Sequence, residues 1–171
     1  MPADRPVAAA CAALLALFPL VAAGCGDSGP EEVPAAGCGP DQQERIDPAS
    51  ANHVLSGAAE PDYLTDPPTS GPHAPAPARD GVLSDPLGRP EQVGHLEAGG
   101  ILFQHGDLPD DDLEALEALA GPGTVVTPNP DLPAAIVATA WTRKLLCATV
   151  DVDALSAFAD AHLGEGPGSD G

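Results

Sequence analysis

The chain has 171 residues and a formal net charge of −20, with 26 acidic against 6 basic residues. Such a surface repels the phosphates of nucleic acids and of anionic lipid head groups, so the composition excludes nucleic acid as a partner. The length suits one domain with appendages, and a 43% share of hydrophobic residues is sufficient for a packed core.

Residues 1–24 are predicted to be a signal peptide, because Arg5 precedes an apolar run that ends on small residues. Cys25 follows this run directly, in an arrangement that resembles the lipobox of bacterial lipoproteins. In a lipobox the cysteine is lipidated and becomes the mature N-terminus. The same residues leave two alternatives, a retained single-span anchor and an ordinary cleaved signal peptide. Residues 25–51 are predicted to be a flexible spacer between the lipid and the domain.

Two cysteines remain once Cys11 is assigned to the signal peptide and Cys25 to the anchor. Cys38 and Cys147 lie far apart, and neither belongs to a C-x-x-C motif. In an oxidising compartment such a pair indicates a disulfide rather than a metal site. We therefore predict a disulfide between Cys38 and Cys147.

The first half of the mature chain is rich in proline and glycine and shows no helical period. Residues 53–90 contain only brief apolar pairs, which is typical of loop-dominated structure wrapped on another element. Within them, "PPTSGPH" (Pro67 to His73) places rigid residues directly ahead of a histidine.

The second half alternates predicted strands and helices. "GGILFQHG" predicts a strand with Ile101 and Phe103 on one side and Leu102 on the other. "LPDDDLEALEALAGPG" predicts a helix, because three aspartates lie at the end where the helix dipole favours negative charge and a glycine follows. "TVVTP" predicts a short strand.

"AAIVATAWT" is nearly all apolar or small, which predicts a central strand covered on both faces. "LLCATV" predicts a strand that returns beside it, with Arg143 and Lys144 in the turn. "DVDALSAFADAHLG" predicts a closing helix capped by Asp151. This order predicts a single α+β domain over residues 52–167. It would be a mixed sheet with two helices on one face, preceded by a long proline-rich loop and followed by a disordered tail at residues 168–171.

The stretches "YLTDPPTSGPH", "GVLSDP", "EQVGHLEAGGILF", "PAAIVATAWTRKLLC" and "ALSAFADAHLGEGP" occur in this order. Together they resemble DUF3105, an uncharacterised family of bacterial secreted or lipid-anchored proteins, over residues 54–167. The resemblance implies an extracytoplasmic lipoprotein and no particular activity. The family pattern Val-His-x-Leu-Glu-His-Gly-Gly places histidines where this chain has Gly94 and Ala98, whereas Leu96 and Glu97 match it.

Four histidines and one glutamate are the candidate metal site: His53, His73, His95, His105 and Glu97. Imidazole nitrogens suit copper and zinc, and these side chains could converge if the proline-rich loop folds over the glycine-rich start of the strand. We predict that His73 lies within reach of Glu97, His95 or His105. The alternative is a set of ordinary surface or cap histidines, since their spacing matches no metal-ligand motif.

Two functions from different classes follow. The first is a membrane-anchored binding or interaction module with a protein partner in the cell envelope, carrying a copper or zinc site degraded by the loss of histidines at Gly94 and Ala98. The second is an extracytoplasmic hydrolase that uses His73 as base or metal ligand. The hydrolase hypothesis draws on Ser70 near His73, although no G-x-S-x-G elbow is present.

Overall fold

The computed structural model describes residues 32–169, so the predicted signal peptide and Cys25 lie outside the described residues. Within them are six strands and three helices: β1 (Gln42–Gln43), β2 (Gly81–Val82), α1 (Arg89–Glu97), β3 (Ile101–His105), α2 (Asp110–Glu117), β4 (Thr124–Pro128), β5 (Ile136–Ala140), β6 (Arg143–Cys147) and α3 (Val152–His162). The strands form one mixed sheet in the order β1-β6-β5-β3-β4-β2. The α+β class predicted from the sequence is confirmed.

Alternating side chains divide the core between the two faces of the sheet. Ile101 of β3 packs with Leu116 of α2 and Phe158 of α3. Leu102, the next residue, points to the opposite face and packs with Leu96 of α1. The two predicted helices therefore share one face, as expected, and α1 covers the other.

The hairpin of β5 and β6 differs from the prediction at its turn. All five residues of β5 are buried between β3 and β6, which confirms a central strand. The turn consists of Trp141 and Thr142 alone, and Thr142 has a φ of 57°. With Thr142 in the left-handed region, two residues suffice to reverse the chain, and Ala140 already pairs with Arg143. Arg143 and Lys144 consequently belong to β6, and their placement in the turn was wrong.

Helix α1 has no counterpart among the predicted elements. It is nine residues long, with Gly94 in its interior, and glycine disfavours helix by about 1 kcal/mol relative to alanine. Two signals of a helix start were nevertheless present. Pro90 lies in the first turn, and Glu91 Oε2 accepts the backbone N–H of Gly88 at 3.2 Å.

The folded part begins before the predicted boundary at residue 52. The disulfide between Cys38 and Cys147 is present, and β1 adds to the sheet beside β6 with Gln42 opposite Lys144. Residues 38–51 therefore belong to the fold rather than to the spacer. At the other end, Gly168 of the tail that was predicted to be disordered donates its N–H to the Glu97 carbonyl at 2.9 Å.

Residues 44–80, called the proline segment below, connect β1 to β2 without a helix or strand. The segment joins the sheet at the β5–β6 turn through backbone hydrogen bonds, and it contacts α1 through both backbone and side chains. None of the helices within residues 32–169 is long and apolar enough to cross a membrane.

Candidate functional site

The stretch Pro67 to His73 is packed into the protein rather than laid over its surface. The carbonyl of Thr69 accepts the N–H of Thr142 at 3.0 Å, and Ser70 Oγ accepts the N–H of Asp47 at 2.9 Å. Prolines restrict the unfolded chain as well as the folded one, so little conformational entropy is lost when this stretch becomes ordered. His73 is consequently held in one position with no exposed surface.

His73 and Glu97 join the proline segment to the end of α1. Their Nε2 and Oε2 atoms are 3.0 Å apart, and the Glu97 side chain is 30% exposed. His73 Nδ1 faces the carbonyl oxygen of Gly71 at 3.1 Å. Both ring nitrogens of His73 therefore face oxygen atoms of other residues. The predicted contact of His73 with Glu97 is present.

His53 stands beside this pair. Its ring meets the His73 ring edge-on, with centroids 5.0 Å apart. The backbone brings the two together, since Val54 donates its N–H to the His73 carbonyl at 2.7 Å and His73 donates its own to the Asn52 carbonyl at 3.1 Å. His53 is exposed, so on this side one ring separates the buried His73 from solvent.

His95 is a structural histidine with both ring nitrogens occupied. Nδ1 accepts the backbone N–H of Arg79 at 3.0 Å, and Nε2 donates to the Ile101 carbonyl at 3.0 Å. Burial lowers the pKa of His95, although the hydrogen bond to Ile101 opposes this shift. Gly100 makes room for the ring, because a Cβ at that position would overlap it. Gly99 instead gives room to the C-terminal segment, since a Cβ there would lie 3.0 Å from Gly164 Cα.

We expect acid to weaken the fold through His95. Its pKa in the folded protein is below the ordinary value of about 6.5, so the unfolded chain takes up a proton first as the pH falls. The stabilisation is complete above pH ~6.5 and is lost as the pH drops toward the folded pKa, by at most about 1.4 kcal/mol per pH unit. Urea unfolding from pH 7.5 to 5.0 should show a smaller decline for His95→Gln than for the parent. Equal declines would contradict this assignment.

The structure does not assemble the five predicted ligands. His105 lies at the other end of β3, with Nδ1 2.8 Å from the Gly106 carbonyl oxygen, and His95 has both nitrogens engaged as described. Among residues 32–169, no three histidine, cysteine, aspartate or glutamate side chains come together as a ligand group. What remains of the candidate metal site is the pair of His73 and Glu97 with His53 beside it.

The contacts of Ser70 do not support the hydrolase hypothesis. Its hydroxyl accepts the N–H of Asp47, and both nitrogens of His73 face oxygens of other residues. A serine nucleophile requires its base within hydrogen-bond reach, and no hydrogen bond joins Ser70 to His73 in the described part of the chain. Ser70 instead links two distant parts of the proline segment through its hydrogen bond with Asp47.

Helix α1 and the proline segment approach most closely at Gly94. A Cβ at this position would overlap the carbonyl oxygen of Ala74, whose N–H donates to the Pro90 carbonyl at 2.9 Å. If the histidine that the family resemblance implies stood at position 94, its side chain would overlap this backbone.

Gly94→Ala should destabilise the protein even though alanine is the better helix former. We expect a loss of about 1 to 3 kcal/mol, because backbone has to move to admit the methyl group. Gly121→Ala is the matched control, since no heavy atom lies within 4 Å of its added Cβ, and it should be close to neutral. Urea unfolding measures both. A Gly94→Ala variant as stable as Gly121→Ala would disprove the contact.

A groove of about 550 Å³ lies between the proline segment and the start of α1. One wall is residues 54–58 with 74–75 of the proline segment, and the other is Gly88, Pro90 and Glu91 at the start of α1. Leu55 lines it and is 77% exposed, the highest value for a large hydrophobic side chain in the described part of the chain. This surface was not predicted from the sequence, although the apolar pair Val54–Leu55 between proline-rich stretches was a signal.

The domain is of the α+β class, with helices on both faces of one sheet. A buried histidine and a carboxylate join the proline segment to one of those helices. The family model described as "Protein of unknown function (DUF3105)" matches residues 56–170, which include His73, Glu97 and most of the groove. The chain belongs to this family. No curated protein and no solved structure matches this chain.

Proposed function

We propose that this protein is a binding module of the bacterial cell envelope, anchored to the membrane through acyl chains on Cys25. The order of Arg5, an apolar run, small residues and Cys25 supports the anchor. A single acyl chain binds a membrane weakly and reversibly, whereas several chains hold a protein there stably. The acidic domain would then be kept at the membrane while its groove stays open to a protein partner.

The observation that carries the binding function is the groove with its two fixed walls. Ala74 and Pro90, on opposite walls, are joined by a backbone hydrogen bond of 2.9 Å. Glu60 accepts a hydrogen bond from Arg89 Nε at 2.7 Å, which ties the proline segment to α1 a second time. A concave surface that is formed before binding loses little entropy when a partner docks.

The anchor is tested by Cys25→Ala. We expect this variant to remain unprocessed or to leave the membrane fraction, whereas Cys11→Ala, a change within the same signal peptide, should behave as the parent does. Mass spectrometry of the mature chain should show acyl groups on Cys25. Mature protein in the membrane fraction without that added mass would disprove the anchor.

The binding function is tested by photo-crosslinking in intact cells. A benzophenone amino acid replaces Leu55, or Val152 as the control, since Val152 is also apolar and is 41% exposed but lies on α3 across the sheet. We expect a discrete protein adduct from position 55 and none from position 152. Equal adducts from both positions, or none from position 55, would overturn the proposal.

A further inference from the structure

We infer that the groove takes an extended segment of a protein partner in which basic and apolar residues alternate. This inference rests on the proposed binding function and adds the chemistry of the partner. The apolar lining, the charges near the groove and the hydrogen bonds between its walls support it.

The lining calls for apolar side chains. Most of it consists of small or apolar residues: Val54, Leu55, Ala58, Ala74, Pro75 and Pro90. Leu55 buries little of its side chain within the chain itself, and covering such a side chain with another apolar surface is favourable. The hydrophobic contact missing at Leu55 is therefore one that a partner can supply.

The charges around the groove call for a basic partner. Beside the start of α1, the carboxylates of Glu60, Asp66 and Glu91 pair with the guanidinium groups of Arg79 and Arg89, which is three negative charges to two positive. Glu60 and Glu91 are each 46% exposed, so both keep solvent-facing oxygens while paired. The net charge of −20 adds a long-range field that attracts cations and repels an acidic segment.

The rigid walls favour an extended segment. The hydrogen bond of Ala74 to Pro90 and the pair of Glu60 with Arg89 hold the groove open in the free protein. In an extended chain successive side chains point to opposite sides. Alternate residues can then place leucine-like side chains against Leu55 while lysine or arginine side chains reach Glu60 and Glu91.

Peptide binding tests this inference. The probe is a fluorescent nonapeptide of alternating lysine and leucine, titrated by anisotropy into the full-length chain in neutral detergent. Two control peptides replace every lysine by glutamate or every leucine by serine. We expect both controls to bind at least tenfold more weakly, and the lysine–leucine peptide to weaken with added salt because exposed charges are screened. Equal affinity of any control peptide would overturn the inference.

Variants assign the binding to the groove. Leu55→Ser should weaken binding of the lysine–leucine peptide at least tenfold, and Val152→Ser should leave it unchanged. The peptide partitions into detergent equally with both variants, so this partition does not affect the comparison of their affinities. Equal affinities of the two variants would overturn the inference. A concentration-dependent dimer of the parent that Leu55→Ser dissociates would also overturn the inference, because the groove would then hold a second copy of the chain. Crosslinks from position 55 together with failed peptide binding would refute the partner chemistry and leave the binding function standing.

Discussion

Reduction of the disulfide between Cys38 and Cys147 is expected to lower the free energy of unfolding by up to about 4 to 5 kcal/mol. The two cysteines are 109 residues apart, so the bond closes most of the folded chain into one loop. In the chain-entropy model, a cross-link over roughly 100 residues removes conformational freedom from the unfolded state worth about 4.7 kcal/mol. The bond also holds the segment before β1 against the sheet, where Cys147 is fully buried.

Urea unfolding with and without reductant measures this effect. A Cys38→Ala/Cys147→Ala double variant serves as the control, because reductant should leave its midpoint unchanged. The parent should titrate no thiol for these two cysteines when unfolded without reductant and two after reduction. Superimposed unfolding curves of the oxidised and reduced parent would show that the disulfide contributes nothing to stability.

Glu44→Ala is expected to lower the free energy of unfolding by about 3 to 5 kcal/mol. Lys144 has no exposed surface, and its Nζ lies 2.9 Å from Glu44 Oε1. The other oxygen, Oε2, accepts hydrogen bonds from the hydroxyl groups of Thr65 and Thr69. Truncating one partner of a buried ion pair leaves a charge in a medium of low dielectric constant, and that charge is costly.

Two further variants separate the buried charge from simple loss of contacts. Glu91→Ala breaks an exposed pair with Arg79 and should cost less than about 1 kcal/mol. The double variant Glu44→Leu/Lys144→Met removes both buried charges and should recover much of the stability lost in Glu44→Ala. If Glu44→Ala is no worse than Glu91→Ala, the pair is not buried in solution as it is in this structure.

Lys144 shows why part of this network could not be predicted. Lysine is seldom fully buried, so the pattern placed Lys144 with Arg143 in an exposed turn. Its burial depends on Glu44, which is 100 residues earlier in the chain and belongs to a segment taken to be a spacer. Neither residue has a local pattern that indicates the other, because antiparallel pairing of β1 with β6 alone brings them together.

The candidate metal site, likewise, was predicted only in part. His73 and Glu97 were predicted to meet because a rigid stretch directs one toward the element that carries the other. His95 and His105 were included in the candidate metal site on residue type alone, although one lies near the start of β3 and the other at its end. A strand rises about 3.3 Å per residue, so five residues of β3 put one end roughly 13 Å from the other. Only His95 lies near the start of that strand, and the hydrogen bonds of its ring show a structural role.

Local pattern in the sequence determined the α+β class, the central strand β5, the alternation along β3 and the helices α2 and α3. These depend on side-chain periodicity and end signals within a few residues of each other. Tertiary structure alone decided the existence of α1, the burial of Lys144 and the groove beside Leu55. Each of these depends on contacts between distant segments: Gly94 against the Ala74 carbonyl, Glu44 against Lys144, and residues 54–58 against the start of α1. Such contacts repay their desolvation and ordering costs only when the whole chain is folded, so the start signals at Pro90 and Glu91 and the Val54–Leu55 pair did not suffice to predict them.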